Sequence, residues 1–155
     1  MSIERDLSVE RVSRLDLSGF AQVSTGTPIL EVLDIMRDQR LSAVLVTEED
    51  RLVGIFTERD VLSRVADEAS TWKLPVDDMM TFSPQTVSPD ALVQEALRLM
   101  NAGHYRNVPV VDGDGAIVGN LSQYSIVQFL TDRYPREIYN LPPDPESIPR
   151  TPEGA

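Results

Sequence analysis

Thr57 and Asp60 stand three residues apart in "GIFTERD", at the end of an apolar, strand-like run. A hydroxyl and a carboxylate at that spacing suit the start of a helix in two ways. In a variant capping box, Thr57 is the N-cap and its hydroxyl takes an orphan N–H. Asp60 reaches back to the cap backbone and favours the positive end of the helix dipole. In a ligand site, the same helix start offers free N–H groups to an anion. Thr57 then adds a hydroxyl donor to a phosphate. Asp60 accepts hydrogen bonds from both hydroxyls of a ribose, as an acidic residue does in dinucleotide folds. The two roles are compatible, because Asp60 can cap the free protein and bind a ligand when one arrives. A second stretch, "GNLSQYS", puts Ser122 and Ser125 at the matching positions. Ser122 can cap there without an acidic partner. If both stretches only cap, the difference is worth about 1 kcal/mol.

Both stretches belong to a duplication. A shift of 64 positions lays Val23-Ser24 on Val87-Ser88, Glu31 on Glu95, Leu33 on Leu97 and Met36 on Met100. Val44 and Val46 fall on Val108 and Val110. One hairpin turn is a residue longer, so the offset becomes 65, and Val53-Gly54 then falls on Val118-Gly119 and Thr57 on Ser122. Two copies do not make a solenoid. They predict a duplicated unit whose halves pack as a pseudo-symmetric pair.

Each copy reads strand, helix, strand, strand, helix. Short strands are expected at 22–24 and 85–88. Ile29, Val32, Leu33 and Met36 have helical spacing, and Val93, Ala96, Leu97 and Met100 repeat it, so both methionines are expected in the core. "SAVLVT" and "LVGIFT" flank a turn at Glu48-Glu49-Asp50-Arg51, and "NVPVV" and "AIVGNLS" flank Asp112-Gly113-Asp114-Gly115. These are hairpins. The acidic turn is not a calcium loop, since the twelfth position from Asp112 is Gln123 rather than Glu. Val61, Leu62 and Val65, and then Ile126, Val127 and Leu130, give each copy a closing helix. The fold class is α/β (α+β). The organisation is an N-terminal segment (1–18), a first motif (19–68), a linker (69–82), a second motif (83–133) and a Pro-rich tail (134–155). Trp72 lies in the linker and is expected to pack over an interface. Six of the eleven prolines fall in the tail, which cannot be helical.

The bulk numbers exclude several classes. The chain has 155 residues, 41% hydrophobic and 25% charged, as expected of a soluble globular protein. With 14 Lys+Arg against 25 Asp+Glu, its formal charge is −11. Nucleic-acid binding needs a basic face, and anionic membranes attract basic segments, so neither partner is expected. There is no cysteine for a disulfide or thiolate, and a lone His104 excludes a histidine-rich metal site. The charged N-terminus has no signal-peptide core, and no apolar run approaches membrane-span length. A cytoplasmic protein is expected.

From Val12 to Arg133 the chain resembles a pair of CBS domains, also called a Bateman module. The motifs that carry the resemblance are "GIFTERDVL" in the first copy, similar to the family's Gly-x-x-Thr-x-x-Asp, and "HYRNVPVVDGDGAIVG" in the second. The tail "YPREIYNLPPDP" is similar to those of small stand-alone bacterial members. The resemblance implies two βαββα motifs packed as a pseudo-twofold pair, commonly as a homodimer. It also implies clefts that bind adenosine-containing ligands such as AMP, ADP, ATP or S-adenosylmethionine, with no obligatory metal. Carried onto this chain, the first cleft takes Ile55, Thr57, Arg59 and Asp60 from the first copy. From the second copy it takes Gln85, Thr86, His104, Tyr105 and Arg106. A second, weaker site takes Arg40, Ser42, Ser122 and Ser125. There a serine replaces the ribose-binding acid, which exchanges a charged hydrogen bond for a neutral one.

Three functions compete. The first is a regulatory nucleotide-binding module that signals by shape change to an unidentified partner. The second is a ligand-free dimerisation or interaction scaffold in which Thr57 and Asp60 only cap. The third, an enzyme, is disfavoured. No Walker-type loop, nucleophile–base pair or carboxylate cluster with metal-ligand spacing is present in the sequence.

Overall fold

The computed structural model describes residues 2–134. The Pro-rich tail lies outside them, apart from Tyr134. In the first copy β1 (Ala21–Ser24) runs parallel to β2 (Ala43–Glu48), joined by α2 (Ile29–Gln39). β2 pairs antiparallel with β3 (Arg51–Thr57), and β4 (Thr81–Phe82) closes the sheet in the order β1-β2-β3-β4. The second copy holds α4 (Val93–Gly103), β5 (Asn107–Val111), β6 (Ile117–Ser122) and α5 (Gln123–Arg133), with β5 and β6 antiparallel. A short helix, α1 (Ile3–Val9), leads the chain.

The methionines are core, as their spacing predicts. Ile29, Val32 and Met36 are buried against Val44, Val46 and Phe56 in the first copy. Val93, Ala96 and Met100 are buried against Val108, Val110 and Leu121 in the second. A smaller apolar cluster of Ala43, Leu45 and Ile55 takes Ile117 of the second copy at its edge, which joins the copies across their strands.

The strand expected at 85–88 is reduced to a single bridge between Val87 and Val110. Val87 bonds the Pro109 carbonyl and the Val111 N–H. The next rung toward Gln85 needs an N–H from residue 109, and proline has none. The closing helix of the first copy also differs from expectation. It is α-helical only over α3 (Glu58–Asp60) and continues as a π-helix over Val61–Val65. Leu62 and Val127, apolar residues of the two closing helices, are 76% and 55% exposed.

The duplication reaches further back than the strands. Val12 and Val76 stand 64 positions apart, and both have no exposure. Val12 belongs to the second core and Val76 to the first. The backbone repeats the exchange. Ile29 N–H, at the start of α2, donates to Leu74 O, and Val93 N–H, at the start of α4, donates to Glu10 O. Val76 N–H bonds Thr27 O, and Val12 N–H bonds Ala91 O. Pro28 and Leu92, the N-caps, have no side chain that can accept, so Leu74 O and Glu10 O satisfy donors that helix starts leave open. Each core is thus completed by a segment that precedes the other copy.

The hairpins close as the sequence predicts. Glu49 and Asp50 both adopt left-handed φ, the two-residue turn that matches strand twist. Asp112 turns its carboxylate inward to accept the Asp114 and Ala116 N–H groups, so it is a turn residue. Gly54 and Gly119 are required by space. A Cβ on Gly54 would collide with the Met80 side chain, and one on Gly119 with Leu17. Both glycines let an incoming connector run directly over β3 or β6.

Candidate functional site

Thr57 ends β3 and starts α3, and Asp60 is buried beneath it. One oxygen of Asp60, Oδ2, accepts both the Thr57 N–H at 2.9 Å and the Thr57 hydroxyl at 3.3 Å. The other oxygen makes no hydrogen bond among the described residues. The second copy builds the same corner with neutral groups. Ser122 Oγ accepts the Ser125 N–H at 3.0 Å and lies 2.9 Å from the Ser125 hydroxyl. Each corner is anchored alike, with Glu58 N–H on Ser42 O and Gln123 N–H on Arg106 O.

Facing Asp60 is the end of α4. His104 terminates it with φ 56°, in the left-handed region, and Arg40 ends α2 the same way at φ 54°. The reversal at His104 presents His104, Tyr105 and Arg106 as a rim. Gly103 leaves room for the Tyr105 ring, since a Cβ there would collide with it. Below the rim, Asn107 Oδ1 accepts from Ser42 Oγ at 3.3 Å and from Asn120 Nδ2 at 3.0 Å. This network spans the two copies and forms part of the floor.

Between the two corners lies a cleft of about 870 Å³. That falls within the range of small-molecule and cofactor sites. Ile55, Thr57, Arg59 and Asp60 line it from the first copy, and Gln85, His104, Tyr105 and Arg106 from the second. Thr86 does not line it. The weaker site does not assemble. Ser42 and Ser122 line this same cleft, whereas Arg40 lies outside it. Ser125 is buried and borders a separate hollow of about 360 Å³ with Arg14, Asp16 and Arg133. Residues 17–19 run against β6, with Leu17 O on Asn120 N–H and Gly19 O near Asn120 Nδ2.

Electrostatically the cleft is unsatisfied. Ion pairs among the described residues involve only Arg14, Arg37 and Arg133. Arg59 and Arg106 are exposed in the cleft with no acidic partner among those residues. Three apolar or aromatic side chains at the mouth escaped the sequence reading. Leu62, Phe82 and Tyr124 are 76%, 64% and 74% exposed. Tyr124 sits 65 positions from Arg59, and that correspondence was the available signal. Phe82 and Leu62 carry none, because an exposed apolar residue looks like a core residue until the fold is known.

A duplicated βαββα unit with a ligand-sized cleft between its copies defines a paired-motif module. The family model of the CBS domain matches residues 3–67 and 76–132, and the chain belongs to that family as a tandem pair. It is 33% identical over 129 residues to the uncharacterized protein MK0525 of Methanopyrus kandleri, covering 80% of this chain and 63% of that protein. It is 35% identical over 108 residues to the CBS domain-containing protein CBSCBSPB1 of Arabidopsis thaliana, covering 68% of this chain and 20% of that one. The chain therefore spans about a fifth to two thirds of these curated relatives. Among solved structures, CBSX2 in complex with AMP superposes with TM-score 0.70 at 24% identity, over 79% of this chain and 97% of that one. The CBS domain pair of protein MJ0100, in complex with 5′-methylthioadenosine and S-adenosylmethionine, gives TM-score 0.67 at 23% identity, over 78% and 99%.

Proposed function

We propose that this chain is a non-catalytic regulatory module that binds one adenosine-containing nucleotide in the cleft between its copies. The observation that carries this reading is the free oxygen of buried Asp60, held by Thr57 across the cleft from His104, Tyr105 and Arg106. Asp60 accepts the ribose hydroxyls, Thr57 and the two arginines take phosphate, and Ile55 packs against the base. The AMP-bound and S-adenosylmethionine-bound pairs of the same fold support an adenosine ligand. The ligand bridges both copies, so it can favour one arrangement of them over another. A change of shape then reaches a partner protein. No helix among the described residues is long and apolar enough to cross a membrane, in keeping with a module acting in the cytoplasm.

A second reading, a ligand-free scaffold, is favoured by the exposed Leu62, Tyr124 and Val127 on the two closing helices. Under either reading these faces pair in a homodimer. Isothermal titration with AMP, ADP, ATP, S-adenosylmethionine and GTP separates the two, on wild type and Asp60→Ala. The regulatory reading expects one adenosine ligand at about one site per chain, lost in the variant. No heat from folded protein would leave the scaffold.

A further inference from the structure

We infer that Glu58 sets the number of phosphates the cleft accepts, so that a nucleoside monophosphate binds in preference to a triphosphate. The inference rests on the nucleotide reading above and deepens it. Among the side chains lining the cleft, the formal charges are Arg59 and Arg106 against Glu58 and Asp60, with His104 counted neutral. They cancel. None of these four groups forms an ion pair among the described residues, so all remain to act on a ligand.

The two acids are not equivalent. Asp60 is buried, and one of its oxygens is already held by Thr57, which leaves it to a ribose diol. Glu58 is exposed and lies between Thr57 and Arg59, two of the three groups assigned to phosphate. Its backbone is anchored by the Glu58 N–H to Ser42 O hydrogen bond, which roots its side chain at the cleft wall. A phosphate monoester carries about −1.5 to −2 near neutral pH. Two arginines match that charge. Each further phosphate adds about one negative charge and meets no further cation, only Glu58. The chain's net charge of −11 acts in the same sense, and a concave low-dielectric wall focuses such fields. One uncompensated like charge at side-chain distance in a partly wet cleft weakens binding by about three- to tenfold.

The test is titration of the purified 155-residue chain with AMP, ADP and ATP in EDTA at low ionic strength, on wild type, Glu58→Gln and Glu58→Lys. The readout is the ratio of ATP to AMP affinity within each protein. In wild type ATP should bind about ten- to a hundredfold more weakly than AMP, for the two added phosphates. Glu58→Gln should remove most of that roughly ten- to hundredfold gap, and Glu58→Lys should close or reverse it. ATP binding wild type as tightly as AMP overturns the inference, and so does a ratio that neither variant moves. Failure of all three nucleotides and of S-adenosylmethionine to bind a folded wild type is a different result, and it rejects the nucleotide reading itself; binding of S-adenosylmethionine alone overturns only the inference on Glu58.

Discussion

Thr57 gives Asp60 two hydrogen bonds on the same carboxylate oxygen, one from its backbone and one from its hydroxyl. That contact makes capping and ligand binding separable by substitution. Asp60→Asn keeps an oxygen for the Thr57 N–H but loses the charge. The difference between charged and neutral hydrogen bonds is about 1–1.5 kcal/mol, or roughly tenfold in nucleotide affinity. Asp60→Ala should lose the ligand and also about 1 kcal/mol of stability. Thermal melts beside calorimetry distinguish the variants. Equal ligand loss and equal melting temperatures for the two would contradict the dual role.

Arg40 and His104 occupy the same left-handed helix end, one outside the cleft and one lining it. Such a conformation costs a non-glycine residue roughly 1–2 kcal/mol. Glycine relieves it, less its own entropic cost. Arg40→Gly should therefore stabilise by about 0.5–1 kcal/mol, raising Tm by about 1–4 °C, with nucleotide affinity unchanged. His104→Gly should stabilise similarly and weaken the ligand.

Ser125→Asp rebuilds in the second copy the acid that the first copy has. Ser125 still lies outside the large cleft and borders a separate hollow. Binding stoichiometry should stay at one per chain. Two sites per chain by calorimetry would mean that the acid alone decides whether a cleft is competent.

Val12→Ala and Val76→Ala each remove two methyl groups from a site with no exposure. Each should cost about 1.5–3 kcal/mol, measured by urea unfolding. A markedly smaller loss for Val12→Ala would mean that the leading segment is not part of a core.

The legible parts of the sequence were those with periodicity or a repeat to compare. Helices around Met36 and Met100 and the two hairpins declared themselves by spacing. Thr57 and Asp60 declared themselves by type and position. Three features did not. The correspondence of Val12 with Val76 is hidden, because Pro75 aligns with Arg11 and Asp78 with Arg14, pairs with no common chemistry. The missing strand at 85–88 depends on one absent N–H at Pro109, which matters only once the register is known. The π-helix after Asp60 follows no local pattern, since Val61, Leu62 and Val65 align with residues that are regular α-helix in α5. Thr86 lies outside the cleft lining for a simpler reason, because a motif names a segment and only the backbone decides which side chains face in.

The exchange of leading segments bears on where this architecture comes from. A chain encoding one motif alone would carry a segment shaped for a core it does not own, and would lack the segment that completes its own. Two such chains could become whole only by trading arms, as in a domain-swapped dimer. Joining the genes end to end makes that trade internal. The partner is then always present at fixed stoichiometry, and the two halves are free to diverge until one keeps the aspartate and the other a serine.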